Sequence, residues 1–331
     1  MTLDPERRHA IRGIKLRSLV ATAIGDPGDA LVADGDHCFD GTRLWVLASD
    51  DAPEQALGAA VLRASRYGAA PITVCFDDAE VAGVAARRSA VLRPAPEVLL
   101  VDGRSLRHVE PADPVPPAHV PAPPDGFDDL CRGVGVEPVV EHGIWRGEVL
   151  GLEVVRVVDD PDLGEQVQVG VGRFDREAGA LLHADQPRGE SLAAAADLIR
   201  AQRRPGAGAH PLATLCRERW LRCDLIADPS TLGLTDLVAV DPADERPNLR
   251  DPAPAPAVGT GPAGERVLVV CSVGVDPCVV SAAAELVLRE SPDRVVVVLP
   301  DRDVLSPVEQ ALARLSVPTS VVGVACSWDV G

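Results

Sequence analysis

An apolar run, an alanine-rich stretch and a second apolar run occur near both ends of this chain, in the same register. Thr42–Asp51 leads to Ile72–Asp78, and Val267–Asp276 leads to Val295–Asp303. Asp51 and Asp276 are 225 positions apart, as are Asp78 and Asp303, so the two stretches superpose without a gap. Near-continuous apolar strands alternating with helices point to parallel strands covered on both faces. The expected class is therefore α/β, with two Rossmann-like parallel βαβ units flanking a central α+β domain of a helix, three strands and further helices.

The boundaries follow from composition along the chain. Residues 1–40 read as a basic helix (Arg7, Arg8, Arg12, Lys15, Arg17) and a loop opened by Gly25-Asp26-Pro27-Gly28-Asp29. The first α/β unit covers 41–110, with its third strand at Glu97–Asp102. Pro111–Pro124 is too proline-dense to enter a helix or sheet interior, so 111–126 reads as a linker. The central domain covers 127–250, a second linker 251–264 contains Asp251–Pro256, and the second α/β unit covers 265–331.

Within the central domain a short helix at Phe127–Cys131 precedes strands at Glu137–Glu141, Gly147–Val158 and Gln166–Phe174. Alternation on both sides of Asp159-Asp160-Pro161-Asp162-Leu163-Gly164 is a hairpin signal. Two helices follow, at Ser191–Arg204 and Pro211–Ile226.

With 331 residues and 46% hydrophobic content, the chain can bury real cores, and with aromatics at 3% those cores are built from Val, Leu and Ala. Lys15 is the only lysine among 32 basic residues, a bias that fits a high-GC bacterial genome. A net charge of -18 argues against a protein that coats nucleic acid generally, because phosphate neutralisation supplies most non-specific affinity. The sequence shows no secretory h-region and no uninterrupted apolar run of about 20 residues, which predicts a cytoplasmic protein without a membrane partner. The eight cysteines form no C-x-x-C pair, so a zinc site is not expected.

Three constellations are candidates for chemistry. The first is the set of strand-end carboxylates, Asp50, Asp51, Asp77, Asp78, Asp102, Asp276, Asp301 and Asp303, which suit either Mg²⁺ or the capping of the helices that follow. The second is the charged stretch Arg173-Phe174-Asp175-Arg176-Glu177, which joins Glu141, His142, Glu148 and Glu153 if the strands converge. Glu148, Glu153, Arg173, Asp175 and Glu177 are the expected catalytic groups, through acid/base or anion-binding roles. The third is the arginine set Arg200, Arg203, Arg204, Arg217 and Arg222, joined by Arg219 on the same helices, which suits a phosphate backbone or the acidic parts of the chain itself.

The helix and three-strand order of the central segment resembles the restriction-endonuclease-like nucleases, named for their P-D and D/E-x-K residues. The resemblance implies Mg²⁺ held by acids on the second and third strands, with a lysine two residues after the latter. Glu153 matches the second-strand acid, whereas Gln168 and Gly170 stand where the third-strand acid and the lysine belong. Glu153 and Asp175 are then the metal-ligand candidates, and magnesium the implied cofactor. Asp301-Arg302-Asp303 also resembles the D-x-D of Toprim enzymes, but the strand at 269–273 lacks that family's glutamate. Neither a phosphate-binding glycine motif nor G-x-S-x-G occurs.

Two function classes stay open on these residues. One is a nucleic-acid-associated protein whose central domain is a divergent or inactive relative of the nuclease fold. The other is a non-catalytic ligand-binding or assembly protein that uses the interdomain cleft to hold a small molecule or protein partner. The residues decide neither oligomeric state nor whether the chain is an enzyme.

Overall fold

The computed structural model describes residues 4–25, 32–68, 70–162, 164–173, 175–176, 187–205, 210–246 and 248–329. The fold is mixed α/β, with three sheets of six, four and five strands. The helices in chain order are α1 (Pro5–Ile24), α2 (Ala56–Ala64), α3 (Ala79–Ser89), α4 (Phe127–Arg132), α5 (Arg188–Gln202), α6 (Pro211–Thr214), α7 (Arg217–Ala227), α8 (Val279–Glu290) and α9 (Ser306–Leu312). The chain forms two compact units, one of residues 1–115, 275–297 and 302–322, the other of 116–274, 298–301 and 323–331.

The six-stranded sheet belongs to the first unit. Its strands are β1 (Val32–Asp34), β2 (His37–Phe39), β3 (Leu44–Leu47), β4 (Ile72–Phe76), β5 (Glu97–Asp102) and β6 (Ser105–His108), in that spatial order. β3, β4 and β5 are parallel, pairing Leu44 with Ile72 and Thr73 with Glu97. β1, β2 and β6 are antiparallel to their neighbours, so the sheet is mixed rather than all parallel. Short turns make the difference: Gly35 and Gly103 take φ of 56° and 62°, values that favour glycine, and reverse the chain within two residues. Side chains alternate across β3, so Trp45 and Leu47 join Cys75, Leu99 and Cys38 beneath Leu16, Leu19 and Val20 of α1. Each fully buried leucine there contributes roughly 1.5–3 kcal/mol.

In the same unit Glu285 of α8 accepts from Arg87 Nη2 and Arg88 Nε of α3, each over 2.9 Å, and all three residues are buried. Gly58 of α2 packs against the carbonyl of Pro277 so closely that a Cβ there would lie 1.8 Å from it.

The four-stranded sheet is an antiparallel meander of β7 (Glu137–Glu141), β8 (Ile144–Val149), β9 (Leu152–Asp160) and β10 (Gly164–Val169), one strand more than the sequence pattern indicated. The extra strand hides in a tight turn. Leu150 and Gly151, with φ of 48° and 76°, form a two-residue loop inside what reads as one apolar run. α4 packs on β7, and α5 packs across β8, β9 and β10. Their shared core holds Phe127, Cys131, Val149, Leu152, Val155, Leu192 and Ile199.

The five-stranded sheet has the order β11 (Asp236–Ala239), β12 (Ala255–Thr260), β13 (Arg266–Cys271), β14 (Arg294–Pro300) and β15 (Thr319–Val324). β12 lies inside the expected second linker. Pro256, the second residue of the strand, pairs with Val270 on β13 and lies just beyond the β11 ladder, which ends at Ala257. The two repeated stretches thus fall in different sheets. Among the described residues no helix is long and apolar enough to cross a membrane.

Candidate functional site

Two turns organise the polar side of the meander. His142-Gly143 and Leu150-Gly151 all have positive φ, the requirement of a two-residue hairpin loop with matching twist. The resulting register sets Val139 opposite Arg146, Arg146 opposite Arg156 and Glu148 opposite Glu153, with a bulge at Gly147/Glu148. One face of the sheet therefore carries Glu141, Arg146, Glu148, Glu153 and Arg156. The other carries Trp145, Val149 and Val155 into the core, where a Cβ on Gly147 would lie 2.5 Å from Val155.

α7 packs on β11, β12 and β13 and sends Arg219 and Arg222 onto this charged face. Arg219 donates to Glu148 Oε1 over 2.6 Å and to Glu141 Oε1 over 2.5 Å. Arg146 donates to the same Glu141 oxygen over 2.8 Å. Glu153 accepts from Arg176 on Oε1 (2.5 Å) and from Arg156 on Oε2 (3.2 Å), with Arg146 Nε 3.5 Å from Oε2. Glu141, Glu148, Glu153, Arg146, Arg176, Arg219 and Arg222 are all buried.

Burial alone would raise the pKa of Glu141, but Arg219, Arg146 and Arg222 outweigh it and hold the carboxyl below its ordinary value. Burial likewise disfavours the charged form of Arg219, and Glu148 and Glu141 more than reverse the effect. The three carboxylates are wrapped in guanidinium groups. That chemistry does not fit Mg²⁺: both oxygens of Glu153 are engaged by arginines, which stay protonated and cannot be displaced by losing a proton. Among the described residues no group of three or more His, Cys, Asp or Glu side chains is placed to hold a metal ion.

The remaining expected residues lie elsewhere. Asp175 is exposed and accepts the backbone N–H of Val171 over 2.7 Å, so it does not join Glu153 as a pair of metal ligands. Arg173 is exposed, and Arg176 carries that stretch's guanidinium into the cluster. Glu177 lies outside the described residues. Arg176 belongs to the charged stretch named from sequence, although not to its expected catalytic groups; Arg146 is a member that sequence reasoning passed over, although strict alternation in β8 already sets it beside Glu148.

The arginine set is largely turned inward. Arg203 is 3% exposed and donates to the carbonyls of Leu212 (3.1 Å), Leu150 and Leu215, with its guanidinium 5.1 Å from the Trp220 ring. Burial lowers its pKa to about 10. Arg222, 5% exposed, donates to the Pro256 carbonyl over 3.4 Å. Arg200 binds the carbonyls of Val134 and Gly135. Arg217 donates to the Ala213 carbonyl over 3.0 Å and lies 5.4 Å from the ring of Trp328. Arg204 is exposed. The physical reason is a break between α6 and α7: Cys216 takes φ 49°, which rotates Arg219 and Arg222 away from the phase of one continuous helix.

In the first unit the strand-end carboxylates meet the basic side of α1. Arg8 pairs with Asp51 and Arg12 with Asp50 at 3.0 Å, and Lys15 with Asp77 at 2.6 Å. Asp78 caps α3 by accepting from the N–H groups of Glu80 (2.8 Å) and Val81 (3.0 Å). The opposite edge of β3, β4 and β5 opens into a cavity of about 770 Å³ beside the C-terminal turn of α1. Its polar wall is Asp40, Thr42, Arg43, Glu97 and His108, and its apolar wall includes Ile24, Leu99 and Leu106. Arg43 binds Glu97 and donates to Thr73 Oγ1 over 2.8 Å, and Thr73 donates to Glu97 Oε2 over 3.0 Å. Burial would raise the pKa of Asp40, but hydrogen bonds from Trp45 and Thr42 hold it low. Sequence reasoning missed this place, because its residues come from four separate segments with no motif in common.

Comparison with known proteins found no matching family, no matching curated protein and no matching solved structure.

Proposed function

We propose that this chain is a ligand-binding protein without chemistry of its own, and that its small molecule sits in the cavity of the first unit. The observation that carries the reading is a space of about 770 Å³ in which Ala23, Ile24, Trp45, Leu99 and Leu106 face Asp40, Thr42, Arg43, Glu97 and His108. That volume lies in the range of small-molecule sites. The carboxylates of the central cluster support it from the other direction, since acids whose oxygens are taken by guanidinium groups are not free to hold a metal. In this reading the repeated βαβ stretches are Rossmann-like scaffolding, and the protein works in a bacterial cytoplasm on a small-molecule partner. The nuclease-like central domain is then an architectural likeness with its reaction lost.

Thermal denaturation against a metabolite panel tests the proposal. The expected outcome is concentration-dependent stabilisation by at least one compound, following the mass-action law for a ligand that binds the native state. Leu106→Trp, which fills the cavity from β6, abolishes that stabilisation. The competing nucleic-acid reading predicts instead that short duplex DNA binds with steep salt dependence, equally well to both proteins. That result overturns the proposal.

A further inference from the structure

We infer that the ligand of the first-unit cavity is an organic cation, an amine carried on an apolar body; this rests on the ligand-binding reading above. Three features of the cavity favour positive charge. The first is its charged lining: the carboxylates of Asp40 and Glu97 outnumber the one guanidinium, Arg43, and the imidazole of His108 is the remaining titratable group. Arg43 is already committed to Glu97 and Thr73, and its guanidinium lies 5.8 Å from the Trp45 ring.

The second is an unused acceptor. Glu97 receives both of its hydrogen bonds on Oε2, and Oε1 has no hydrogen-bond partner among the described residues. The carboxylate is about one-third exposed, so this oxygen is open to a donor that enters the cavity. The Asp40 carboxylate does not compete for the same role. Its Oδ1 accepts from Thr42 N, Thr42 Oγ1 and Arg43 N, and its Oδ2 from Trp45 Nε1, all at 2.8 Å.

The third is the end of α1. Ala23 and Ile24, from the last turn, line the cavity, and that turn contains no basic residue. The last carbonyls of a helix lack intrahelical partners and form the negative pole of its dipole. The basic residues of α1, Arg7, Arg8, Arg12, Lys15 and Arg17, all precede that turn, and Arg8, Arg12 and Lys15 meet the strand-end aspartates. The cavity thus joins a negative pole, one spare carboxylate oxygen and an apolar wall of Ile24, Leu99 and Leu106. An ammonium group satisfies the oxygen and the carbonyls, and its alkyl or aryl body covers the wall. A carboxylate or phosphate ligand would meet like charge there.

The test uses three probes matched in apolar body, hexylamine, 1-hexanol and hexanoate, titrated into the full-length protein by calorimetry and by chemical-shift mapping. Hexylamine is expected to bind saturably, with shifts centred on Trp45 and Leu106, and hexanoate at least roughly tenfold more weakly, as fits one charge-assisted hydrogen bond. Glu97→Gln is expected to weaken hexylamine by about the same factor and to leave 1-hexanol unchanged. Hexanol or hexanoate binding as tightly as hexylamine sinks the cation assignment and leaves the cavity as a binding site. Absence of binding by all three removes both. The probe comparison needs only the unaltered protein, so it stands even if Glu97→Gln does not fold.

Discussion

Arg219 grips Glu148 from a different layer of the fold: its Nη1 on α7 lies 2.6 Å from Glu148 Oε1 on β8, and both residues are at most 4% exposed. The second arm of the same guanidinium holds Glu141 at 2.5 Å, so one side chain ties two neighbouring strands of the meander to α7. Breaking such a contact on one side leaves an uncompensated buried charge, which is worse than removing both partners. Arg219→Met is therefore expected to lose about 3–5 kcal/mol in urea unfolding. Glu141 also accepts from Arg146, and Glu148 lies 4.0 Å from Arg222, so adding Glu141→Leu and Glu148→Leu to Arg219→Met strands two further buried guanidinium groups and is expected to lose more than Arg219→Met alone. A triple replacement more stable than the single one counts against this account.

The acid limb of stability follows from Glu141. Its folded-state pKa lies below the unfolded value, so its contribution is fully present above the unfolded pKa and is lost as pH falls through the folded one. The window begins below about pH 4.3, the ordinary glutamate value. Urea titrations between neutral pH and the acid limb should show the stability gap between the unaltered protein and Glu141→Gln shrinking as pH drops. A gap that is constant, or widens toward acid, contradicts the assigned direction.

Arg203 and Arg204 are adjacent in sequence and opposite in consequence. Arg203 is buried against three backbone carbonyls, whereas Arg204 is exposed and donates to the carbonyl of Ala201. Arg203→Glu places a carboxylate among acceptors, at a cost of several kcal/mol, and Arg204→Glu should stay within about 0.5 kcal/mol. Chemical denaturation of the two variants separates the cases. A paired charge reversal at these positions would report unfolding rather than a lost phosphate surface.

On α1, neighbouring residues divide between core and surface. Leu16 is fully buried under the first sheet, and Lys15 makes a part-exposed pair with Asp77. Leu16→Ala is expected to cost about 2–5 kcal/mol through the cavity it leaves. Lys15→Ala is expected to cost less than about 1 kcal/mol, because solvent screens the pair. Equal losses from the two in denaturant melts would mean that the helix is held by charge rather than by packing.

The sequence by itself determined the elements whose reasons are local. The apolar runs at Leu44–Leu47, Ile72–Phe76 and Glu97–Asp102 became adjacent strands, parallel as their alternation with helices required. The turn after Asp160 became the β9–β10 hairpin. Asp78 became a helix cap through bonds to residues two and three positions on. What only the tertiary structure decided were the relationships that depend on phase and distance along the chain. Cys216 in a left-handed conformation turns Arg219 and Arg222 inward, and two-residue loops flip Glu141, Glu148 and Glu153 onto one face. The partner of the basic α1, the carboxylates more than 35 residues further on, was equally out of reach of local pattern. Spacing within an element records which face a side chain takes, but the charge it meets across 71 residues, as Arg219 meets Glu148, is set by how the layers pack.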